Sequence, residues 1–163
     1  RINALLRRSG PAADVMLHYA RYGESFGYAL AEAAALELPA VVQATPWGDN
    51  AQLELVRHGT TGFVAGGFDD ARLYLEQLLA DPALAARIGA AARVHVEGEF
   101  GVEATWRLLA AFIAHARAGG RGLLAQPAAL AAAQQARLAR GIANYGEAFP
   151  RLADLRAASP ALR

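Results

Sequence analysis

The sequence predicts an α/β fold in three layers, with a parallel sheet covered by helices on both faces. Two observations carry this. Residues 15–18, 40–44 and 61–65 are short apolar runs with the near-continuous hydrophobicity of strands buried on both sides. The segments between them contain helical stretches, so two β-α-β crossovers follow one another, and such connections are right-handed and build parallel sheets.

Taken in order, residues 3–8 predict the end of an amphipathic helix, closed by Ser9-Gly10-Pro11, where glycine terminates and proline blocks continuation. Asp14 leads into the first strand. Residues 19–23 make a loop at its carboxyl end, where ligands sit in open α/β sheets. A helix over 28–36 turns Leu30, Ala33 and Ala34 toward the sheet, and Leu38-Pro39 breaks it. The second strand, 40–44, is followed by a loop over 45–51 and a short helix over 52–57 ended by Gly59. The third strand leaves through Gly66-Gly67, which can turn sharply.

From Asp69 onward the chain reads as helices over 70–79, 83–99 and 102–116, the second opened by Asp81-Pro82 with proline in its first turn. In the third, Trp106, Leu109, Phe112 and Ile113 form an apolar stripe at helical spacing, expected in the core. Gly119-Gly120-Arg121-Gly122 marks a hinge. Residues 1–118 therefore read as one domain, and 119–163 as a helical extension around an Ala-rich helix over 128–140. No internal repeat is present at solenoid periods.

At 163 residues, 55% hydrophobic and 8% aromatic, the chain can bury a sizeable core. Sixteen basic against 15 acidic residues leave a net charge of +1, which points to neither nucleic acid nor a strongly anionic surface. The lack of cysteine excludes disulfides and thiolate metal sites and fits a reducing cytosol. His18, His58, His95 and His115 lie far apart with no metal-binding spacing, so no metal is expected. No charge-free apolar run is long enough to span a membrane; residues 123–133 come closest but are short and contain Pro127. The chain opens on Arg1 with a helix already under way rather than a signal peptide, so it is expected to be a piece of a longer protein.

The stretch Glu24-Ser25-Phe26-Gly27-Tyr28-Ala29-Leu30-Ala31-Glu32 joins the first strand to the first helix. Ser25 is expected to cap that helix, and Gly27 to let a ligand approach the backbone. Unpaired amides at the helix start, with the positive end of the dipole behind them, make a seat for a phosphate or diphosphate. Glu24 lies before the helix and Glu32 just over a turn inside it, so both can accept hydrogen bonds from the hydroxyls of one ligand. Two surface glutamates eight residues apart are usually only solvated. Their position between strand and helix sharpens the signal.

This arrangement resembles the donor half of the retaining GT-B glycosyltransferases of family four, also called group one, whose mark is E-x-F-G-x-x-x-x-E-A, carried here by Glu24 to Ala33. Leu38-Pro39-Ala40-Val41-Val42 is similar to the family's G-x-P-V-V, and Glu54 to Val64 to its E-x-V-x-x-G-x-x-G-x-L-V. Two places depart from the pattern. Leu36-Glu37-Leu38 stands where a glycine usually precedes the proline, and Pro46-Trp47-Gly48-Asp49-Asn50 where paired glycines are common. Trp47, Asp49 and Asn50 are open to two readings, contact with donor or acceptor, or an Asx-type turn with a partly buried indole.

The resemblance implies a Rossmann-like domain, the truncated C-terminal half of a GT-B fold with extra C-terminal helices. It implies a transferase that moves a hexose from a nucleotide diphosphate sugar, UDP- or GDP-linked, to an unknown acceptor. In that reading Glu24 is the catalytic residue, contacting hydroxyls of the transferred sugar, and Glu32 holds the ribose. The backbone around Ser25, Phe26, Gly27 and Tyr28 touches sugar and diphosphate. No Asp-x-Asp motif is present, so a metal-independent reaction without cofactor is expected.

The family's basic pair and acceptor domain lie upstream. Arg7, Arg8 and Arg21 do not match that pair, so the chain alone is expected not to turn over. Its first strand would be left as a sheet edge, which pairing between two copies could cover as a homodimer. A cytoplasmic location is expected, with peripheral attachment to the inner face of the membrane left open. Two competing readings are a non-catalytic binding or assembly module on the same fold and a nucleotide-sugar isomerase.

Overall fold

The computed structural model describes residues 13–20, 22–45 and 48–119, together with helical positions at 132, 135, 136 and 139. The helix expected over 3–8, Arg21, Trp47, the glycine-rich stretch over 120–122 and most of the extension lie outside the described residues. The elements run β1 (Met16–His18), β2 (Gly23–Glu24), α1 (Tyr28–Ala35), β3 (Ala40–Gln43), β4 (Asp49–Asn50), α2 (Gln52–Leu55), β5 (Gly62–Ala65), α3 (Phe68–Ala80), α4 (Pro82–Phe100) and α5 (Val102–Arg117).

The three apolar runs are strands and pair in parallel in the order β1-β3-β5, with Met16 beside Ala40 and Val41 beside Phe63. Alternation along the strands sends side chains to two faces. Ala40, Val42 and Val64 join Leu30 and Ala34 of α1, Leu53 and Leu55 of α2, and Ala92 and Val96 of α4. Val41, Phe63 and Ala65 join Ala71 and Leu78 of α3 and Ile88 of α4. Val41, Val42 and Ile88 have no exposed surface. Each such side chain contributes on the order of 1.5–3 kcal/mol by leaving water, so the sheet holds because helices cover both its faces. This is the α/β architecture the sequence implied. Among the described residues β1 has a strand neighbour on one side only.

Helix α1 ends in a Schellman turn. The Leu38 amide donates to the Ala33 carbonyl at 3.0 Å and the Glu37 amide to that of Ala34 at 2.9 Å, with Glu37 in the left-handed region at φ 62°. Glycine suits such a position best, which explains the family's usual glycine there; Glu37 adopts the same conformation at the cost of a side chain in the left-handed region. Gly89 of α4 rests against the Glu37 backbone so closely that a methyl group there would overlap its carbonyl oxygen. Asp81 caps α4 by accepting from the Ala83 and Leu84 amides, each at 3.0 Å.

Two expectations need correction. Residues 19–23 and 45–51 are not wholly loop: β2 and β4 pair in parallel, Gly23 beside Asp49 and Glu24 beside Asn50. Strands of two residues, one a glycine, leave no apolar run to read. The stripe on α5 is not core either. Trp106 is 60% exposed, Leu109 48%, Phe112 41% and Ile113 40%, while Ala104 is the buried residue of the helix. Helix α4 already covers the sheet, so α5 stacks outside it. No helix among the described residues is long and apolar enough to cross a membrane.

Candidate functional site

Glu24 ends β2, at the carboxyl side of the main sheet, and its backbone is tied to the β4 segment by the Ala51 amide, which donates to the Glu24 carbonyl at 2.9 Å. Below this ladder lies a polar knot. Gln52, with no exposed surface, donates through Nε2 to the Gln43 carbonyl at 2.8 Å, to Asn50 Oδ1 at 2.9 Å and to Thr45 Oγ1 at 3.1 Å. Asn50 Oδ1 also accepts from the Thr45 amide at 3.0 Å, and Thr45 Oγ1 donates to the Asp49 carbonyl at 2.6 Å. The Asn50 side-chain oxygen thus serves its own segment. Trp47 lies outside the described residues.

The Glu24 carboxylate is held on both oxygens. Oε1 accepts from the Phe26 amide at 3.2 Å, and Oε2 lies 3.3 Å from His18 Nε2. The Phe26 amide holds its pKa below the ordinary 4.5; burial opposes this, and the His18 bond and Gly27 amide support it. Glu24 is therefore an anion at neutral pH, with its side chain 28% exposed.

The helix start differs from expectation in two respects. Ser25 does not cap it. The N-cap is Gly27, in the left-handed region at φ 90°, and no side chain bonds the first turn. The reason is that Glu24 has already folded its carboxylate over the turn, taking the Phe26 amide that was expected to be free. Gly27 is buried rather than a point of ligand approach: a methyl group there would lie 2.8 Å from Leu55 Cδ1. The amides without intrahelical partners are those of Tyr28, Ala29 and Leu30, the Ala31 amide being the first to bond back, to Gly27 at 2.9 Å. Tyr28 and Glu32, one turn apart, are both exposed on the outer side of α1. Phe26 packs its ring on Tyr28 and edge-on against Phe100 at the end of α4, with centroids 4.7 and 5.7 Å away.

Sequence reasoning missed His18. A histidine at the carboxyl end of a strand carried a positional signal, but its contact with Glu24 arises only once the 19–23 segment curls back. Two of the other described histidines serve the scaffold: His58 Nδ1 accepts from the Val64 amide at 3.1 Å, and His95 Nε2 lies 2.7 Å from the Glu54 carbonyl. Among the described residues no cluster of histidine and acidic side chains is arranged to hold a metal ion.

Among solved structures, the Anabaena protein Alr3699/HepE, crystallised in complex with UDP and glucose, is similar in fold with a TM-score of 0.55 and 24% identity. The match covers 63% of this chain and 27% of that one, so this chain spans about a quarter of that protein's length. A comparison with curated proteins finds no match. The family model for glycosyl transferases group 1 matches residues 1–95, more than half of the chain, and includes β1 through α4's middle turns. A GT-B-type α/β fragment carrying Glu24 and Glu32 around a helix start is thus placed by its sequence family as well as its fold: the chain belongs to the glycosyl transferases group 1.

Proposed function

We propose that this chain is the donor-binding, C-terminal portion of a retaining glycosyltransferase of family four that moves a hexose from a UDP- or GDP-sugar to an acceptor. One observation carries the reading. An ionised carboxylate, Glu24, is fixed beside a helix start whose next three amides have no intrahelical partner, and a second carboxylate, Glu32, stands one turn further along the exposed side.

In this reading the lone pairs of Glu24 not engaged by Phe26 and His18 accept hydrogen bonds from hydroxyls of the transferred sugar, fixing it for reaction. The amides of Tyr28, Ala29 and Leu30, backed by the helix dipole, offset the charge that builds on the diphosphate as the glycosidic bond breaks. Ser25, Phe26 and Gly27 shape the turn that brings the sugar against Glu24. Glu32 accepts from the ribose hydroxyls, beside the exposed Tyr28 ring. The acceptor and the remaining basic groups belong to parts of the protein outside this chain, which alone is not expected to turn over.

Amide-resolved NMR titration of the chain with UDP, GDP, UDP-glucose and GDP-glucose tests this. Shifts should concentrate at Gly27 to Leu30, and Glu32→Ala should weaken nucleotide binding about tenfold, the worth of one charge-assisted hydrogen bond. Shifts that avoid the α1 start, or a Glu32→Ala chain that binds as well as the unaltered one, would overturn the proposal and favour an assembly module.

A further inference from the structure

We infer that His18 is a positioning residue for the sugar-facing carboxylate, holding Glu24 by its second oxygen so that the remaining lone pairs are aimed at the donor. The inference rests on the donor reading above and adds to it a residue outside the Glu-x7-Glu stretch.

Three features support it. First, the two contacts of Glu24 fall on different oxygens, Phe26 on Oε1 and His18 on Oε2, so together they fix the rotation of the carboxylate, which either alone would leave free. Second, His18 is itself rigid. It is the last residue of β1, paired with Val42 of the central strand, and its side chain is only 13% exposed. Third, among the described residues the ring's polar contact is the Glu24 carboxylate, its Nδ1 being buried with no hydrogen-bond partner there. Because an ionised carboxylate can only accept, the Nε2 atom carries a hydrogen and donates it to Glu24. The lowered pKa of Glu24, to which the His18 bond contributes after the Phe26 amide, agrees with this geometry.

The test compares the unaltered chain with His18→Leu and His18→Gln, since a glutamine amide can reach where Nε2 lies and still donate. Two quantities are read: the titration midpoint of the Glu24 carboxyl by carbon-detected NMR, and the ratio of affinities for UDP-glucose and UDP. In His18→Leu the midpoint should move upward and the preference for UDP-glucose should fall about tenfold, with UDP affinity unchanged; His18→Gln should restore both. Should the leucine variant not fold, His18→Asn, polar but too short to reach Glu24, carries the same expectation. A midpoint that does not move, or a preference for UDP-glucose that survives in the leucine and asparagine variants, overturns the inference alone. An unaltered chain that binds UDP and UDP-glucose alike overturns the donor reading and this inference with it.

Discussion

Glu24 lies directly opposite Asn50 in a parallel ladder of two rungs, so the backbone of the candidate sugar-binding acid is set by a segment that follows the second main strand. Asn50 in turn is anchored through Gln52, which has no contact with solvent. The position of the acid is thus a property of a buried polar knot, not of the motif alone.

Gln52→Ala should accordingly act at a distance. It removes a donor from the Gln43 carbonyl, Thr45 Oγ1 and Asn50 Oδ1 and opens a cavity, costing about 2–4 kcal/mol in urea unfolding. It should also shift the NMR signals of Glu24 and Phe26, to which Gln52 is linked through the β4 segment. A variant with lowered stability and unchanged signals there would separate the knot from the site.

The titration of Glu24 has a definite sign. Its folded pKa lies below the ordinary 4.5, so its ionisation contributes stability above the unfolded-state value, and that contribution is lost as pH falls through the folded pKa. The chain should therefore be more stable than Glu24→Gln at pH 7, and the difference should shrink on acidification below about 4.5. Equal stabilities across that range would show that the amide and His18 contacts favour neither protonation state.

Gly27→Ala should destabilise by about 2 kcal/mol. Roughly 1 kcal/mol comes from placing a side chain in the left-handed region, and the rest from displacing Leu55. Calorimetry or urea unfolding reads the loss.

Two glycines of α4 should respond oppositely to the same change. At Gly98 nothing lies within 4 Å of an added methyl, so Gly98→Ala should gain about 0.5–1 kcal/mol from helix propensity. At Gly89 the methyl overlaps the Glu37 carbonyl, and the overlap outweighs that gain, leaving a net loss of about 2 kcal/mol. Urea unfolding of the pair tests whether close approach of α4 to the end of α1 is what requires glycine.

Trp106→Gln should change stability by less than about 0.5 kcal/mol, because the ring is mostly in solvent. A large loss would restore the stripe to the core.

What the sequence disclosed and what it hid divide along physical lines. The strands at Ala40 and Gly62 were legible because double-sided burial demands uninterrupted apolar residues, and α4 because Asp81-Pro82 is a start signal that works locally; the apolar run at Met16 is also a strand, but the expected burial on both sides does not hold there, since Leu17 is 47% exposed. The β2 and β4 rungs were not, since two polar or glycine residues satisfy no periodicity. Ser25 looked like a cap because composition cannot tell that a neighbouring glutamate will occupy the turn first. The α5 stripe showed that a helix has an apolar side, which says nothing about what covers it. His18 and Glu24 meet across the five residues 19–23, a proximity no spacing rule encodes.

Helix α4 places Ile88 against one face of the sheet and Ala92 and Val96 against the other. It therefore links two clusters that would otherwise be separate units, and loosening it exposes both at once. Unfolding of the β1 to α4 body should then proceed as a single all-or-none event, with hydrogen exchange in Val41 and Val42 sharing one opening free energy with Ile88.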